Sequence, residues 1–173
     1  MKGVIPKCLG ELVVSKFGKD RWKKILSESG LSENTLFMAV QDIDDGAVIK
    51  VIENTCKILN ITLIQAADAF GEYWVCEFAP KLYSGYYKNK TTTKDFLAAM
   101  DEVHQKTTIN IPGAHPPRFE YEWTSEDTLI MHYKSSRGLI DFLVGLVKGV
   151  VKYFKENHKV TKLSDTKVQI VFK

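Results

Sequence analysis

The sequence predicts an α+β domain that is helical in its first half and sheet-based in its second. Three observations carry this. Up to about residue 110 the apolar side chains recur at helical spacing, as in Val48, Val51, Ile52 and Thr55. From Arg118 the period drops to two, with Phe119, Tyr121 and Trp123 alternating with Glu120, Glu122 and Thr124. A long helical stretch from Gly138 to Asn157 and two short apolar segments then close the chain. At 173 residues there is length for one domain with a sizeable core, and not comfortably for two. The expectation is a single domain over 1–173, with a helical subdomain at about 1–65 and an α+β subdomain at about 66–173.

Taken in order, Ile5, Leu9, Leu12 and Val13 make a first helix that Gly18 stops. Lys19 to Ser27 is a short second helix burying Trp22, Ile25 and Leu26, and Ser32 is placed to cap a third short turn. Asp44 and Asp45 precede a longer helix that buries Val48, Val51, Ile52, Thr55 and Ile58-Leu59. Thr62 caps the next, with Leu63, Ala67, Phe70 and Trp74 as its stripe. Gly71 lies inside it, where it costs about 1 kcal/mol against alanine, so something packs closely on that backbone. Tyr83 to Thr93 reads as a polar loop. It leads into one helix capped by Thr92 or Thr93, on which Leu97, Met100, Val103 and His104 share an apolar side. Pro112-Gly113 and Pro116-Pro117 end that helix and fix an extended connection. A strand with one acidic face turns at Ser125-Glu126-Asp127 into a second, Leu129 onward. The long helix buries Leu139, Phe142, Leu143, Leu146, Val147, Val150 and Phe154. Gly145 and Gly149, four apart, mark tight helix–sheet packing. The last two strands turn at Ser164-Asp165.

Composition excludes several classes of function. Net charge is +3 with dispersed Lys and Arg, which gives no case for nucleic acid. No apolar run is long enough for a secretory signal or a membrane span. Cys8, Cys56 and Cys76 are too few and too far apart for a disulfide framework or a CxxC metal site, which fits a reducing cytoplasm. Cys8 falls on the buried side of its helix. No nucleophile elbow, P-loop, dinucleotide fingerprint or HExxH occurs, and the carboxylate pairs Asp44-Asp45 and Glu126-Asp127 sit at turns, where capping accounts for them. The sequence contains no residue set for an enzyme of its own.

Two features remain. Carried along a strand, Leu129, Met131, Tyr133, Ser135 and Arg137 fall on one face. The first two are greasy and the last three are hydrogen-bond donors. Such a row suits a flat apolar ligand with carboxylate tails; it also suits a half-buried strand that ends in solvent. Of the four histidines, His158 ends a helix and is expected in solvent, His115 lies in the proline loop, and His132 points away from the Tyr133 face. His104 alone sits among apolar neighbours on a helix. It is either a hydrogen-bonded core residue or a single axial metal ligand. One neutral imidazole is enough for haem iron, whose other four nitrogens come from the porphyrin, whereas zinc needs three or four protein ligands.

His104, a proline thirteen residues later at Pro117, and Tyr133-x-Ser135-x-Arg137 together resemble the H-NOX (haem nitric oxide/oxygen binding) family, which includes the haem domain of soluble guanylate cyclase. Met1-Lys2-Gly3, Phe70 to Val75, Met100 to His104, Pro116-Pro117-Arg118 and Gly145-x-x-x-Gly149 also look like family sequence, in family order. The resemblance implies a fold with a four-stranded antiparallel sheet, two long helices in the second half, and haem b between the halves. It makes His104 the proximal iron ligand, in a helix that also brings Met100 to the haem. Tyr133, Ser135 and Arg137 would bind the propionates, with Arg137 making charge-assisted bonds, and Pro117 would press the porphyrin out of plane.

By the same resemblance Ile5, Leu9, Trp74, Phe142 and Leu146 would lie over the iron. Oxygen-binding members carry a tyrosine five residues after the motif arginine, and here that position is Phe142. Without that donor an apolar pocket favours NO over O₂. Trp74 is either a packing residue or a donor to bound ligand. The implied function is a cytoplasmic NO sensor, also binding CO, that signals through weakening or release of the Fe–His104 bond. Its partner would be a separate histidine kinase or cyclic-di-GMP enzyme. The alternatives are an O₂-binding or redox haem protein, and a haem-free interaction module with an apolar pocket.

Overall fold

The computed structural model describes residues 1–173. They fall into two compact units, Met1–Ala66 and Ala67–Lys173. The first holds α1 (Val4–Phe17), α2 (Lys19–Glu28) and α3 (Asp45–Leu59), with α1 packed on α2 and α2 on α3. Gly18 takes a left-handed φ of 85° between the first two, a conformation a side chain would strain. Trp22 lies over Gly10, and Ile25, Leu26, Val48 and Val51 are fully buried. Asp44 caps α3 by accepting from the Ala47 amide at 2.9 Å, and Asn60 ends it in the left-handed region. Ser32 opens only a turn, closed by Thr35 N–H donating to its carbonyl at 2.9 Å, rather than a third helix.

α4 (Leu63–Tyr73), whose first turn belongs to the first unit, runs in the second into a π-helical turn, Trp74–Phe78. Thr62 caps α4 through a reciprocal pair with Gln65, at 3.1 and 2.9 Å. Leu63, assigned to the apolar stripe, is 43% exposed, because the buried stripe starts at Ala66-Ala67. The Tyr83–Thr93 stretch is not all loop: after α5 (Ala79–Leu82) it contains α6 (Ser84–Tyr87). The single helix expected after Thr92 is two, α7 (Thr93–Ala98) and α8 (Met100–Thr108), broken at Ala99. Thr92 is the cap of α7, accepting from Asp95 N–H at 3.1 Å.

β1 (Arg118–Ser125), β2 (Thr128–Lys134), β3 (Lys159–Ser164) and β4 (Lys167–Val171) form one antiparallel sheet in the order β1-β2-β4-β3. Glu120 and Glu122 make its wet face, while Phe119, Leu129, Met131, Tyr133, Val168 and Ile170 are buried in one core with α9 (Ile140–Tyr153). Trp123 alternates as expected yet stays 43% exposed, stacked on Phe172 under the Lys94 ammonium. α9 is one long helix of the sheet-bearing half, and the unbroken run of α4, the π-turn and α5 over 63–82 is another, whereas the histidine-bearing stretch is divided at Ala99.

At Gly71, Gly145 and Gly149 the backbones of α4 and α9 come into direct contact. A Cβ on Gly145 would overlap the Ala67 carbonyl, and one on Gly149 the Gly71 carbonyl. The surface met by α9 here is therefore α4, not the sheet. Loss of all three side chains lets the two backbones touch.

Candidate functional site

His104 lies on α8 one turn before its end. The residues after α8 form a non-helical loop that returns through Pro116-Pro117 to the start of β1. The Pro117 carbonyl reaches the His104 ring, with Nδ1 to oxygen at 3.0 Å. A carbonyl only accepts, so Nδ1 carries the proton and Nε2 keeps its lone pair. Burial lowers the ring's proton affinity below the usual histidine range, with the Pro117 bond and Asp101 opposing it. The side chain is thus a neutral imidazole fixed in one tautomer. The ring sits 5.2 Å from that of Phe119, which lies 6.4 Å from Tyr133.

α8 is fastened to β1 at its other end. Asp101 accepts from Arg118 Nε at 2.7 Å and Nη2 at 2.6 Å, and from the Phe119 amide at 2.9 Å. Its carboxyl is held down at about 2, chiefly by the Arg118 hydrogen bonds, against a smaller cost of burial. Tyr121 donates its hydroxyl to the Leu97 carbonyl at 2.9 Å and accepts from the Asp101 amide at 3.1 Å. Asp101 and Tyr121 were not singled out from the sequence. The spacing Asp101-x-x-His104 put both on adjacent helix positions, but it does not say which strand lies opposite.

The donor row is placed differently from the expectation. β2 ends at Lys134, so Ser135 and Arg137 lie in the turn before α9 and not along the strand. Tyr133 is 7% exposed, and Ser135 Oγ accepts from the Arg137 amide at 3.3 Å. Arg137 Nη1 donates to the His115 carbonyl at 2.7 Å, so the arginine meets the loop that carries Pro117. Met100 is half-buried against the core. His158 is a correction: its side chain is 5% exposed, bonded to Glu156 at 3.0 Å and to the Lys173 amide at 3.1 Å, because the closing strand folds back over it. His132 pairs with Glu122 at 2.7 Å on the wet face, and His115 is exposed in its loop.

Phe142 is buried on α9, its ring edge-on to Phe70 at 5.3 Å. Trp74 stacks on Phe70 at 5.7 Å and lies 5.4 Å from Phe78, and Leu146 is half-buried. Ile5 and Leu9 lie on α1 of the first unit, half-buried and buried respectively.

This donor set suits haem. One neutral imidazole with Nε2 unprotonated is what an axial position requires, and its Nδ1 partner is the usual outer-shell carbonyl of a metal-binding histidine. No group of three or more His, Cys, Asp or Glu is arranged to hold a bare metal ion.

The sequence profile of the Haem-NO-binding family matches residues 2–162. The chain is 24% identical over 156 residues to soluble guanylate cyclase gcy-32 of Caenorhabditis elegans, covering 88% of this chain and 23% of that protein. It is 23% identical over 174 residues to gcy-35 of the same organism, covering 96% and 25%. The chain thus spans about a quarter of the length of these curated relatives. Among solved structures it is similar to an oxygen-binding H-NOX domain related to soluble guanylate cyclases, with TM-score 0.85 and 26% identity over 100% of this chain and 95% of that one. An H-NOX structure that probes the function of haem distortion gives TM-score 0.87 at 26% identity, with the same coverage. H-NOX domains are gas-sensor domains that bind haem b, and by profile and fold together this chain belongs to the Haem-NO-binding (H-NOX) family.

Proposed function

We propose that this domain senses NO at ferrous haem b, with His104 as the iron ligand and Tyr133, Ser135 and Arg137 as the propionate-binding residues. When bound, haem supplies an open coordination position at which a diatomic gas binds. His104 presents Nε2 because the Pro117 carbonyl holds Nδ1 as a donor. Arg137 brings a permanent cation and planar donors to the turn beside that loop, which suits a carboxylate. Pro117 supplies both the rigid ring that would bear on the porphyrin and the carbonyl that orients the ligand.

The preference for NO rests on one observation: Phe142, 6% exposed, fills its position with hydrocarbon packed on Phe70. Bound O₂ needs a donor there and NO does not. Trp74 acts as a packing residue, since its ring stacks on Phe70 and lies tilted against Phe78. His104 would hold the iron from the last turns of α8, and its Nδ1 bond to the Pro117 carbonyl would couple any change in that ligation to α8 and the loop before β1. A signal of this kind exists only if NO binds the two arrangements with different affinity. The output falls to an enzyme partner, a histidine kinase or a cyclic-di-GMP enzyme, from within the cytoplasm.

Absorption spectra of anaerobic ferrous protein test this. NO and CO should each change the spectrum, and air should give no stable oxygen spectrum. Phe142→Tyr should gain one. A wild-type protein that holds O₂ stably overturns the NO preference, and a preparation that takes up no haemin overturns the whole reading.

A further inference from the structure

Resting on that reading, we infer that Asp101 is a positioning residue for the proximal imidazole: it sets the strength of the His104 ligand by holding the strand start that carries the Pro117 carbonyl.

Three connected facts lead there. The His104 ring is oriented by a backbone carbonyl, not by a side chain, so whatever fixes that carbonyl fixes the imidazole. The peptide that follows Pro117 is gripped from both of its next residues by one carboxylate. Asp101 Oδ1 takes the Phe119 amide at 2.9 Å and the Arg118 Nε at 2.7 Å, while Oδ2 takes Arg118 Nη2 at 2.6 Å. Asp101 and His104 are three apart on α8, so one helix face holds both the carbonyl's anchor and the ring that uses it. The carboxylate is thus matched to an extended backbone segment at fixed register to its own helix. Tyr121 completes the seat by bonding Asp101's own amide at 3.1 Å and the Leu97 carbonyl at 2.9 Å across the α7–α8 break.

The consequence is electronic as well as geometric. A histidine whose Nδ1–H is strongly bonded is a better donor through Nε2, and loss of such an outer-shell partner weakens metal ligation by roughly 10–100-fold in known sites. Removing Asp101 frees Arg118 and the Phe119 amide together, and the Pro117 carbonyl loses its fixed distance to Nδ1. Removing Arg118 alone leaves the bond from the Phe119 amide in place. The arginine is half exposed, so its own contribution is screened.

The test uses haem-loaded protein and compares wild type, Asp101→Ala, Asp101→Asn, Arg118→Ala and His104→Ala. The iron–histidine stretching band is read by resonance Raman in the ferrous state. The fraction of NO-saturated protein from which His104 has dissociated is read by absorption. Far-UV circular dichroism keeps misfolded variants out of the comparison. Asp101→Ala should shift the stretch to lower frequency and raise the dissociated fraction; Asp101→Asn, which keeps one acceptor for the Phe119 amide, should fall between it and wild type, and Arg118→Ala should lie nearer wild type. A folded Asp101→Ala protein with an unmoved stretch and an unchanged dissociated fraction overturns the inference. Should wild type and His104→Ala share one spectrum, it is the assignment of His104 that fails, and the two failures are told apart.

Discussion

At the scale of single residues, the His104 imidazole is at once a satisfied, half-buried side chain and one suited to an axial position on iron. Its Nδ1 is satisfied by Pro117 while Nε2 keeps its lone pair. Asp101 was not legible, since a carboxylate on a wet helix edge looks like any solvated charge until the strand opposite it is known. Its depressed proton affinity gives it a testable acid window. The group is held at about 2 in the folded chain, chiefly by Arg118, against about 3.9 when unfolded. A carboxylate depressed on folding adds stability that is fully present above about pH 4 and is lost as pH falls toward 2. The stability difference between wild type and Asp101→Asn, measured by urea unfolding, should therefore be full at pH 5 and shrink on acidification toward pH 2. A difference that is flat over that range would mean that the carboxylate's charge contributes nothing to the clamp.

At the scale of elements, periodicity found α1, α2, α3, α9 and all four strands, because each has one face in water and one in a core. It missed features set by backbone geometry. The break at Ala99 has no proline or glycine to announce it, and the π-helical turn at Trp74–Phe78 lies within a stretch that is helical on both sides, in α4 and α5. Both keep the apolar stripe intact, so the pattern reads straight through them. The extension of β2 to Arg137 failed for the opposite reason. Polar residues alternate as readily in a turn as on a strand, and pairing with β1 and β4 stops by Lys134. The glycine contact between α4 and α9 was half legible: closeness was expected at Gly71, Gly145 and Gly149, but not the element met. Gly145→Ala separates the two effects of a glycine. Alanine favours an exposed helix by about 1 kcal/mol, yet here its methyl would overlap the Ala67 carbonyl, which belongs to backbone and cannot rotate away. Steric cost should win, with a net loss of roughly 1–3 kcal/mol, as for other overpacked sites. Thermal unfolding reads this directly, and an unchanged or raised midpoint would mean that the two helices can slide apart without cost.

At the scale of the whole molecule, the residues proposed to grip haem come from elements far apart in sequence. They are α8, the loop before β1, the end of β2 and the turn before α9, all within the Ala67–Lys173 unit. Tyr133, Ser135 and Arg137 follow His104 by about thirty residues, and only the sheet and its loop bring Arg137 to the His115 carbonyl. A ligand that ties such elements together must stabilise the fold, since it binds the folded chain and has no site in the unfolded one. At free haem one hundred times its dissociation constant the gain is about 2.7 kcal/mol. For a chain of this length each kcal/mol moves the midpoint by roughly 2–4 °C, so haem-loaded protein should melt about 5–10 °C above protein stripped of haem. His104→Ala should keep part of that gain, because the propionate residues remain, and added imidazole should restore more of it by replacing the lost ligand. Equal midpoints for loaded and stripped protein would mean that haem rests on the surface and is not held by these elements. A gain of full size in His104→Ala would assign the holding to the apolar and propionate contacts alone.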